Sequence, residues 1–285
     1  GLHYHYGTLG QLQHGANYAD AYLRSIGREH TTVRSLRGWP YKKNAKVNLF
    51  ILAGHRNMEG ERAFVQNATR LGMSNLLKDN PNIAYKYSLG GGYLKSETWE
   101  PLGLVDYYDT FGPELSFSQT LLARRLSNIA IAKFTHSGSQ IIDWTPEGSM
   151  AKSRHIYPQF IRFVRKALSE LQTKGHAVQL TGIFYHLSEN DMSFYPYRKN
   201  AAKRLQSIVS QSRIDLNQPR LKWYVSQQQP TDAKDVNRID VVVDMEKIAA
   251  DDPNLIHIKA FHLCLLYTSD AADEGLGVDL GGRRI

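Results

Sequence analysis

Apolar residues follow two patterns along this chain, short continuous runs and longer stretches with helical spacing. Val47–Ala53 is a short apolar run rich in β-formers that ends at Gly54, which is typical of a buried strand entering a turn. In Pro158–Lys174 the apolar residues fall on one helical face, and Gly175 follows as a stop signal. These two segments are the clearest predicted strand and the clearest predicted helix.

The same alternation of strand and helix continues through most of the chain. The further predicted strands are Ile83–Ser88, Ile129–Phe134, Val178–Tyr185, Leu221–Ser226 and Leu255–Lys259, and the further predicted helices are Glu114–Leu126, Tyr197–Asp215 and Lys234–Ala250. Strands that alternate with helices are typical of βαβ units, so we predict a three-layer α/β/α domain with a mostly parallel sheet. In such sheets, sites form beyond the carboxyl ends of the strands.

Composition excludes several classes of protein. Hydrophobic residues make up 42% and charged residues 22%, so a wholly disordered chain is excluded. No apolar run approaches the roughly 20 residues of a membrane helix, so we predict no membrane span. The single cysteine, Cys264, excludes an internal disulfide and a cysteine-based zinc site, and we predict no cofactor and no metal. The net charge of +8 comes from scattered Lys and Arg, so we predict no nucleic-acid partner.

Polar clusters follow three of the predicted strands. Gly54–Gly60 follows the first strand, His136–Gln140 follows Ile129–Phe134, and His186–Asp191 follows Val178–Tyr185. Any one of these clusters is typical of a structural turn. Convergence of all three on one edge of a parallel sheet would bring imidazole, carboxylate and backbone N–H groups together, which favours a functional site there.

Four segments carry a resemblance to a known family. The string FILAGHRNMEG resembles the first block of the sialic-acid-specific acetylesterase family of SGNH-type carbohydrate esterases, whose usual text is GQSNMxG. Three further segments resemble later blocks of the family, in the same order and with similar spacing across Val47–Lys259. They are Phe111–Phe117, Lys133–Trp144 and Phe184–Asp191. The resemblance implies an SGNH-hydrolase, flavodoxin-like fold. It also implies an O-acetylated carbohydrate or glycan as the substrate.

The resemblance also implies roles for individual positions. In the family a serine on a tight turn attacks the acetyl ester, a histidine from an Asp-x-x-His block takes its proton, and N–H and amide donors hold the oxyanion. The implied catalytic positions are Arg56 at the nucleophile position, Gly112, Gly138, His186, Glu189 and Asp191, and the implied substrate-binding positions are His55, Asn57, Glu59, His136 and Ser139. Gly112 and Gly138 would offer N–H groups, and Glu189 and Asp191 would position hydrogen bonds.

This chain departs from the family pattern at the reacting group itself. Arg56 stands where the family has serine, and His55 replaces the usual glutamine. A guanidinium has no acceptor lone pair and stays protonated, so it cannot attack an ester. We therefore expect ester hydrolysis by this copy to be impaired. Ser137 and Ser139 lie beside His136, which leaves an improvised nucleophile open.

Arg56 allows two other interpretations. It could grip the carboxylate of a uronic or sialic acid, in a non-catalytic domain that binds carbohydrate. It could equally form a structural ion pair with Glu59, Glu189 or Asp191. The two interpretations differ in whether the guanidinium is available to a ligand.

The two ends of the chain differ from its middle. Gly1–Arg24 resembles the closing block of the same family, with His3 or His5 as the base, so we predict that residues 1–26 close an upstream esterase-like domain. An ordinary amphipathic N-terminal helix is the alternative. Residues 27–46 are basic and are predicted to be a linker. Family members are commonly exported, which favours a periplasmic or extracellular location.

The predicted esterase domain covers residues 47–263 and is truncated at its C-terminal end. No Asp-x-x-His block occurs in it, and His257 alternates with apolar neighbours, so we predict that His257 is a strand residue. Residues 264–285 resemble a translated sequencing adapter. Without these residues the net charge would be +10 and the chain would contain no cysteine, because the segment holds Cys264, four acidic residues and two arginines.

Overall fold

The computed structural model describes residues 36–258, apart from residues 37, 62, 106, 152–153, 188, 194 and 228–238. The predicted closing segment with His3 and His5 lies outside the described residues, and so does the segment 264–285. No helix within the described part of the chain has the length and apolar character needed to cross a bilayer.

One sheet and the helices around it make up the described domain. The strands are β1 Lys46–Gly54, β2 Asn80–Leu89, β3 Leu94–Lys95, β4 Glu100–Leu102, β5 Ile129–Thr135, β6 Ala177–His186, β7 Trp223–Ser226 and β8 Leu255–Ile258. The helices are α1 Arg56–Glu59, α2 Val65–Arg70, α3 Glu114–Ala123, α4 Tyr157–Thr173, α5 Glu189–Ser193, α6 Tyr195–Lys199, α7 Ala201–Asp215 and α8 Ile239–Asp251, with a 3₁₀ turn at Ile141–Trp144.

The sheet is mostly parallel, and β1 lies at its centre. The strand order is β3-β2-β5-β1-β6-β7-β8, and β4 also pairs with β2. Only the short β3 and β4 run antiparallel to their neighbour. Within this sheet β5-β1-β6-β7-β8 has the flavodoxin-like order 2-1-3-4-5, and β2 with its two short partners is added at the edge. The prediction of an α/β fold with a mostly parallel sheet is confirmed.

The continuous apolar run of β1 has a simple physical reason, since the strand is covered on both faces. Val47, Leu49 and Ile51 pack into one core cluster. Phe50 and Leu52, which point to the opposite face, pack into the other. A strand with two buried faces cannot alternate apolar and polar residues. The predicted helix Pro158–Lys174 is confirmed as α4, whose buried stripe is Tyr157, Phe160, Ile161, Val164, Ala167 and Leu171.

Two predicted helices differ from the observed ones. The helix predicted to reach Leu126 ends at Ala123, because Arg125 takes a left-handed conformation with φ of 63°. The N–H of Leu126 then bonds to the carbonyl of Leu121 at 3.0 Å, which satisfies the end of the helix. The helix predicted over Tyr197–Asp215 is interrupted at Asn200, between α6 and α7.

The end of the predicted linker packs on the domain. Tyr41 is buried; its hydroxyl donates to the carbonyl oxygen of Ile129 at 2.5 Å and accepts from the Ala84 N–H at 3.0 Å. The Trp39 ring meets the Tyr41 ring edge-on, with centroids 5.5 Å apart. Residues 39–41 therefore belong to the packed structure, ahead of the first strand.

Candidate active site

Three strand ends meet at the carboxyl edge of β1. Gly54 pairs with Thr135 at the end of β5 and with His186 at the end of β6. Its φ is 145°, and a Cβ there would collide with the carbonyl oxygen of His186, so glycine is required. The Gly54 carbonyl also accepts the N–H of His136 at 3.0 Å. The predicted convergence of the three polar clusters on one edge is confirmed.

The turn after β1 is tied to the turn after β5 through a buried imidazole. His55 is 1% exposed, and its Nε2 accepts the backbone N–H of Gly138 at 2.8 Å. Gly138 has a φ of 79°, which aims this N–H at the ring. His55, predicted to bind substrate, and Gly138, predicted to hold the oxyanion, therefore contact each other.

Arg56 begins α1 and pairs with Glu61, which was not among the predicted site residues. Its Nε lies 3.2 Å from Oε2 of Glu61, and the two side chains are 50% and 41% exposed. The hydroxyl of Ser137 donates to the same oxygen at 3.3 Å. The suggested pairing with Glu59 or Asp191 is wrong, because those carboxylates are buried and bound elsewhere.

Glu59 is enclosed by donors from three other segments. Its Oε1 accepts the hydroxyl of Tyr107 at 2.9 Å, and its Oε2 accepts the Thr135 hydroxyl at 2.6 Å and the Gly90 N–H at 2.9 Å. Burial, together with the neighbouring Glu59 carboxylate, raises the pKa of Tyr107 well above its usual range. Glu59, predicted to bind substrate, instead fixes the turn that carries Arg56.

A second buried carboxylate holds the predicted oxyanion donor Gly112. The Gly112 N–H donates to Oε1 of Glu114 at 3.1 Å, and the Lys133 ammonium donates to the other carboxylate oxygen at 2.7 Å. Lys133 also donates to the backbone oxygen of Glu59 at 2.9 Å. A Cβ on Gly112 would collide with both the ammonium and the carboxylate. This network therefore connects α3, β5 and the end of α1.

The two N–H groups expected to hold an oxyanion thus donate inside the protein. Gly112 donates to Glu114, and Gly138 donates to His55. Oxyanion stabilisation requires donors that are already aimed at the reacting oxygen. In this conformation neither N–H meets that requirement.

The hydroxyls beside His136 are also engaged. Ser139 is fully buried; its Oγ donates to the His136 carbonyl at 2.7 Å and accepts from the Trp144 indole N–H at 2.9 Å. The Ser137 hydroxyl turns towards Glu61. The His136 ring places Nδ1 at 3.0 Å from the carbonyl oxygen of Ser137. The improvised nucleophile at these serines is therefore not supported.

Asp191 is fully buried and joins α5 to the 3₁₀ turn. Its Oδ2 accepts the backbone N–H of Ile141 at 2.8 Å. Burial raises the pKa of Asp191 to about 7, partly offset by the Ile141 hydrogen bond and by the charge of Arg204. Glu189 is the first residue of α5, and its side chain lies outside the described atoms.

A histidine, a serine and an asparagine meet at the ends of β6, β7 and α1. The Nδ1 of His186 lies 2.8 Å from the Ser226 hydroxyl, and its Nε2 lies 3.3 Å from Nδ2 of Asn57. His186 and Asn57 were predicted site residues, whereas Ser226 was missed. The sequence feature that could have pointed to Ser226 is its position as the last residue of a predicted strand. His257 lies in β8, as predicted, and its Nε2 is 2.9 Å from Oε1 of Gln227.

Solved structures show the same fold. A protein from Arabidopsis thaliana superposes with a TM-score of 0.55 at 16% identity, over 77% of this chain and 87% of that one. A carbohydrate acetylesterase from Xanthomonas citri superposes with a TM-score of 0.53 at 13% identity, over 74% of this chain. This chain spans 49% of the length of the Xanthomonas protein. Comparison with curated proteins gave no match.

The family comparison covers most of the described domain. The model described as carbohydrate esterase, sialic acid-specific acetylesterase, matches residues 46–274. The match begins at β1 and runs past residue 263, the predicted end of the domain. It includes the turn after β1, the Gly112 segment and the ends of β5 and β6. The chain belongs to the sialic acid-specific acetylesterase family of carbohydrate esterases.

Proposed function

We propose that this domain binds O-acetylated sugars at the carboxyl edge of β1, and that acetyl-ester hydrolysis by the serine route of the family is impaired in this copy. The observation that carries the proposal is Arg56 at the start of α1, in the position of the nucleophile. A guanidinium offers no lone pair to an ester carbonyl.

The hydrogen bonds of Gly112 and Gly138 support the same conclusion. Both N–H groups donate to buried protein acceptors, so an oxyanion formed next to Arg56 would have to displace a carboxylate or an imidazole. Losing one such donor costs a serine hydrolase about a hundredfold to a thousandfold in kcat. In the full-length protein, we assign most of the acetyl-ester hydrolysis to an upstream esterase-like domain closed by residues 1–26.

A second candidate function is favoured by the exposure of Arg56. The guanidinium and its partner Glu61 are each about half exposed, so water screens their ion pair and little free energy is lost when it opens. A planar carboxylate, such as that of a uronic or sialic acid, could then take the place of Glu61 and bind Arg56 through two hydrogen bonds. In this function the domain is a carbohydrate-binding module.

Calorimetric titration with matched sugars tests both functions. Sialic acid, its O-acetylated form and its methyl ester should be titrated into the wild-type protein and into Arg56→Ala. Arg124→Ala is the control, because Arg124 is an exposed arginine at the end of α3. If Arg56 grips the carboxylate, Arg56→Ala and the methyl ester each weaken binding, and Arg124→Ala does not.

Hydrolysis of 4-nitrophenyl acetate and of the O-acetylated sugar tests the impairment. We expect a kcat well below the 1–10³ s⁻¹ common among enzymes. We also expect the control variant Arg124→Ala to leave that slow rate in place, because Arg124 is exposed at the end of α3. Wild-type turnover within the ordinary range would contradict the proposal.

A further inference from the structure

We propose that Ser226 is a relocated nucleophile of this domain, with His186 as its base and Asn57 orienting the imidazole. The inference rests on the proposed function, because the same edge of the sheet must present the acetyl ester. It adds a specific reacting atom, the Ser226 Oγ, to a copy in which the usual position holds Arg56.

The backbone holds the nucleophile and the base in register. His186 and Ser226 are paired residues at the ends of the parallel strands β6 and β7. The Leu187 N–H donates to the Ser226 carbonyl at 3.0 Å, which fixes the two strand ends to each other. On the other side of β6, Gly54 lies against the His186 backbone. The 2.8 Å between Ser226 Oγ and His186 Nδ1 therefore joins two fixed points, within the range of a nucleophile and its base.

Asn57 supplies the third group. Its amide lies 3.3 Å from His186 Nε2, on the opposite side of the ring from Ser226. A half-turn of the amide presents either its oxygen or its nitrogen to the ring. With the oxygen facing, Asn57 accepts the Nε2–H, and Nδ1 keeps its lone pair for the Ser226 proton. A base oriented by an asparagine is known from cysteine proteases, which use the same three roles.

The oxyanion donor of this site is a side chain, because the two glycine N–H groups are engaged. Gly112 and Gly138 donate elsewhere. Arg56 directly precedes Asn57 in α1, is half exposed and pairs with Glu61. We assign its guanidinium as the donor, which has to leave Glu61 to reach the acetyl oxygen. Arginine can stabilise developing negative charge where backbone donors are missing. Without an aligned pair of N–H groups, turnover stays slow, in agreement with the proposed impairment.

The reaction follows the ordinary two steps of acyl transfer. Ser226 Oγ attacks the acetyl carbonyl carbon and gives its proton to His186 Nδ1. The bond between that carbon and the sugar oxygen then breaks, and His186 returns the proton to the sugar oxygen, which leaves as an alcohol. Water attacks the acetyl-Ser226 ester with its proton passing to His186, and the proton returns to Ser226 as acetate departs.

Labelling with a fluorophosphonate, followed by mass spectrometry of peptides, tests the nucleophile directly. We expect one phosphonylated residue, Ser226, and at least a tenfold loss of labelling in Ser226→Ala. Ser137→Ala is the matched control, because Ser137 lies on the same edge of the sheet and donates to Glu61 instead of a histidine. Labelling that spares Ser226 in the folded protein, or that persists in Ser226→Ala, overturns the proposal.

Variants of the other two residues separate the base from its orienter. His186→Gln keeps a polar side chain but removes the base, so labelling should fall about as far as in Ser226→Ala. Asn57→Asp should preserve or raise the labelling rate because a carboxylate stabilises the imidazolium, and Asn57→Leu should lower it. Equal labelling rates in Asn57→Asp and Asn57→Leu would show that Asn57 does not orient the imidazole. A labelling rate in His186→Gln equal to that of the wild type would show that His186 is not the base.

The labelling result is independent of sugar binding. Wild-type protein that binds the O-acetylated sugar but resists the phosphonate refutes the Ser226 inference and leaves the proposed function standing. Protein that is labelled at Ser226 but binds none of the sugars refutes the proposed function and leaves a reactive serine. Thermal unfolding of each variant confirms that the domain is folded before labelling.

Discussion

The Lys133 ammonium and the Glu114 carboxylate form a buried ion pair, with 2.7 Å between Nζ and Oε2, behind the turn that carries Arg56. The two side chains are 1% and 5% exposed. Lys133 also holds the carbonyl of Glu59, and Glu114 also holds the N–H of Gly112. The pair thus fixes both the turn that carries Arg56 and the start of α3, and its loss should lower the stability of the whole domain.

Lys133→Met should lower the free energy of unfolding by about 3–5 kcal/mol, because it leaves the Glu114 charge buried without its partner. Urea unfolding followed by circular dichroism measures the change. Lys95→Met is the control, since Lys95 and Glu97 form an exposed pair whose loss should cost less than about 1 kcal/mol. Adding Glu114→Gln to Lys133→Met should recover part of the stability; a double variant less stable than Lys133→Met would contradict this account.

Gly112→Ala should destabilise the domain by about 1–3 kcal/mol, because the added methyl group meets Lys133 and Glu114. Gly38→Ala provides the comparison, since no atom lies within 4 Å of a Cβ placed there. Chemical denaturation of both variants decides the matter. Equal denaturation midpoints for Gly112→Ala and Gly38→Ala would mean that Lys133 and Glu114 can move away from the added methyl group without a loss of stability.

Asp191 should make the domain less stable as the pH rises from about 4 to about 7. The ordinary pKa of an aspartate side chain is 3.8 and the pKa of Asp191 in the folded domain is about 7, so the folded domain holds this proton more tightly than the unfolded chain does. The stabilisation is fully present below the unfolded value and is lost as the pH passes through the folded one. Thermal melts of the wild type across this range measure the effect.

Asp191→Asn should remove that part of the pH dependence while keeping an oxygen acceptor for the Ile141 N–H. We expect the variant to gain stability relative to the wild type at pH 8 and to lose that advantage at pH 4. The exposed Asp251, at the end of α8, gives the control variant Asp251→Asn. Parallel pH profiles for Asp191→Asn and the wild type would rule out this carboxyl as the source.

Tyr41→Phe should cost about 1–3 kcal/mol, because the Ala84 N–H and the Ile129 carbonyl lose a buried partner. Tyr224→Phe serves as the control, since its ring stacks on Phe184 with centroids 4.4 Å apart and keeps that contact. Equilibrium unfolding reports both. A Tyr41→Phe variant as stable as Tyr224→Phe would show that the segment before β1 contributes little to the fold.

The strands and long helices of this domain were predictable because the buried faces of an element determine the spacing of its apolar residues. The continuous apolar run of β1 and the apolar stripe of α4 predicted the ends of both elements to within a residue or two. The two- and three-residue strands β3 and β4 leave no such pattern, since they exist only through their pairing with β2. The interruption at Asn200 was missed for a similar reason, because apolar spacing continues across it.

The candidate site was predictable at the level of segments but not of contacts. Parallel strands must end on one edge, so the convergence around Gly54 followed from the fold. The partner of Arg56 did not follow, because Gly60, with φ of 95°, turns the chain so that Glu61 reaches the guanidinium and Glu59 does not. Ser226 meets His186 through the register of β6 and β7, which no sequence pattern specifies.

The central position of β1 also sets an order of events during synthesis. Lys46–Gly54 is the first strand of the described domain to leave the ribosome, yet its two neighbours are Ile129–Thr135 and Ala177–His186. An unpaired apolar strand is an aggregation hazard until its partners arrive, and contacts so distant in sequence form slowly. We therefore expect this strand to be at greatest risk of aggregation until residue 186 has been made.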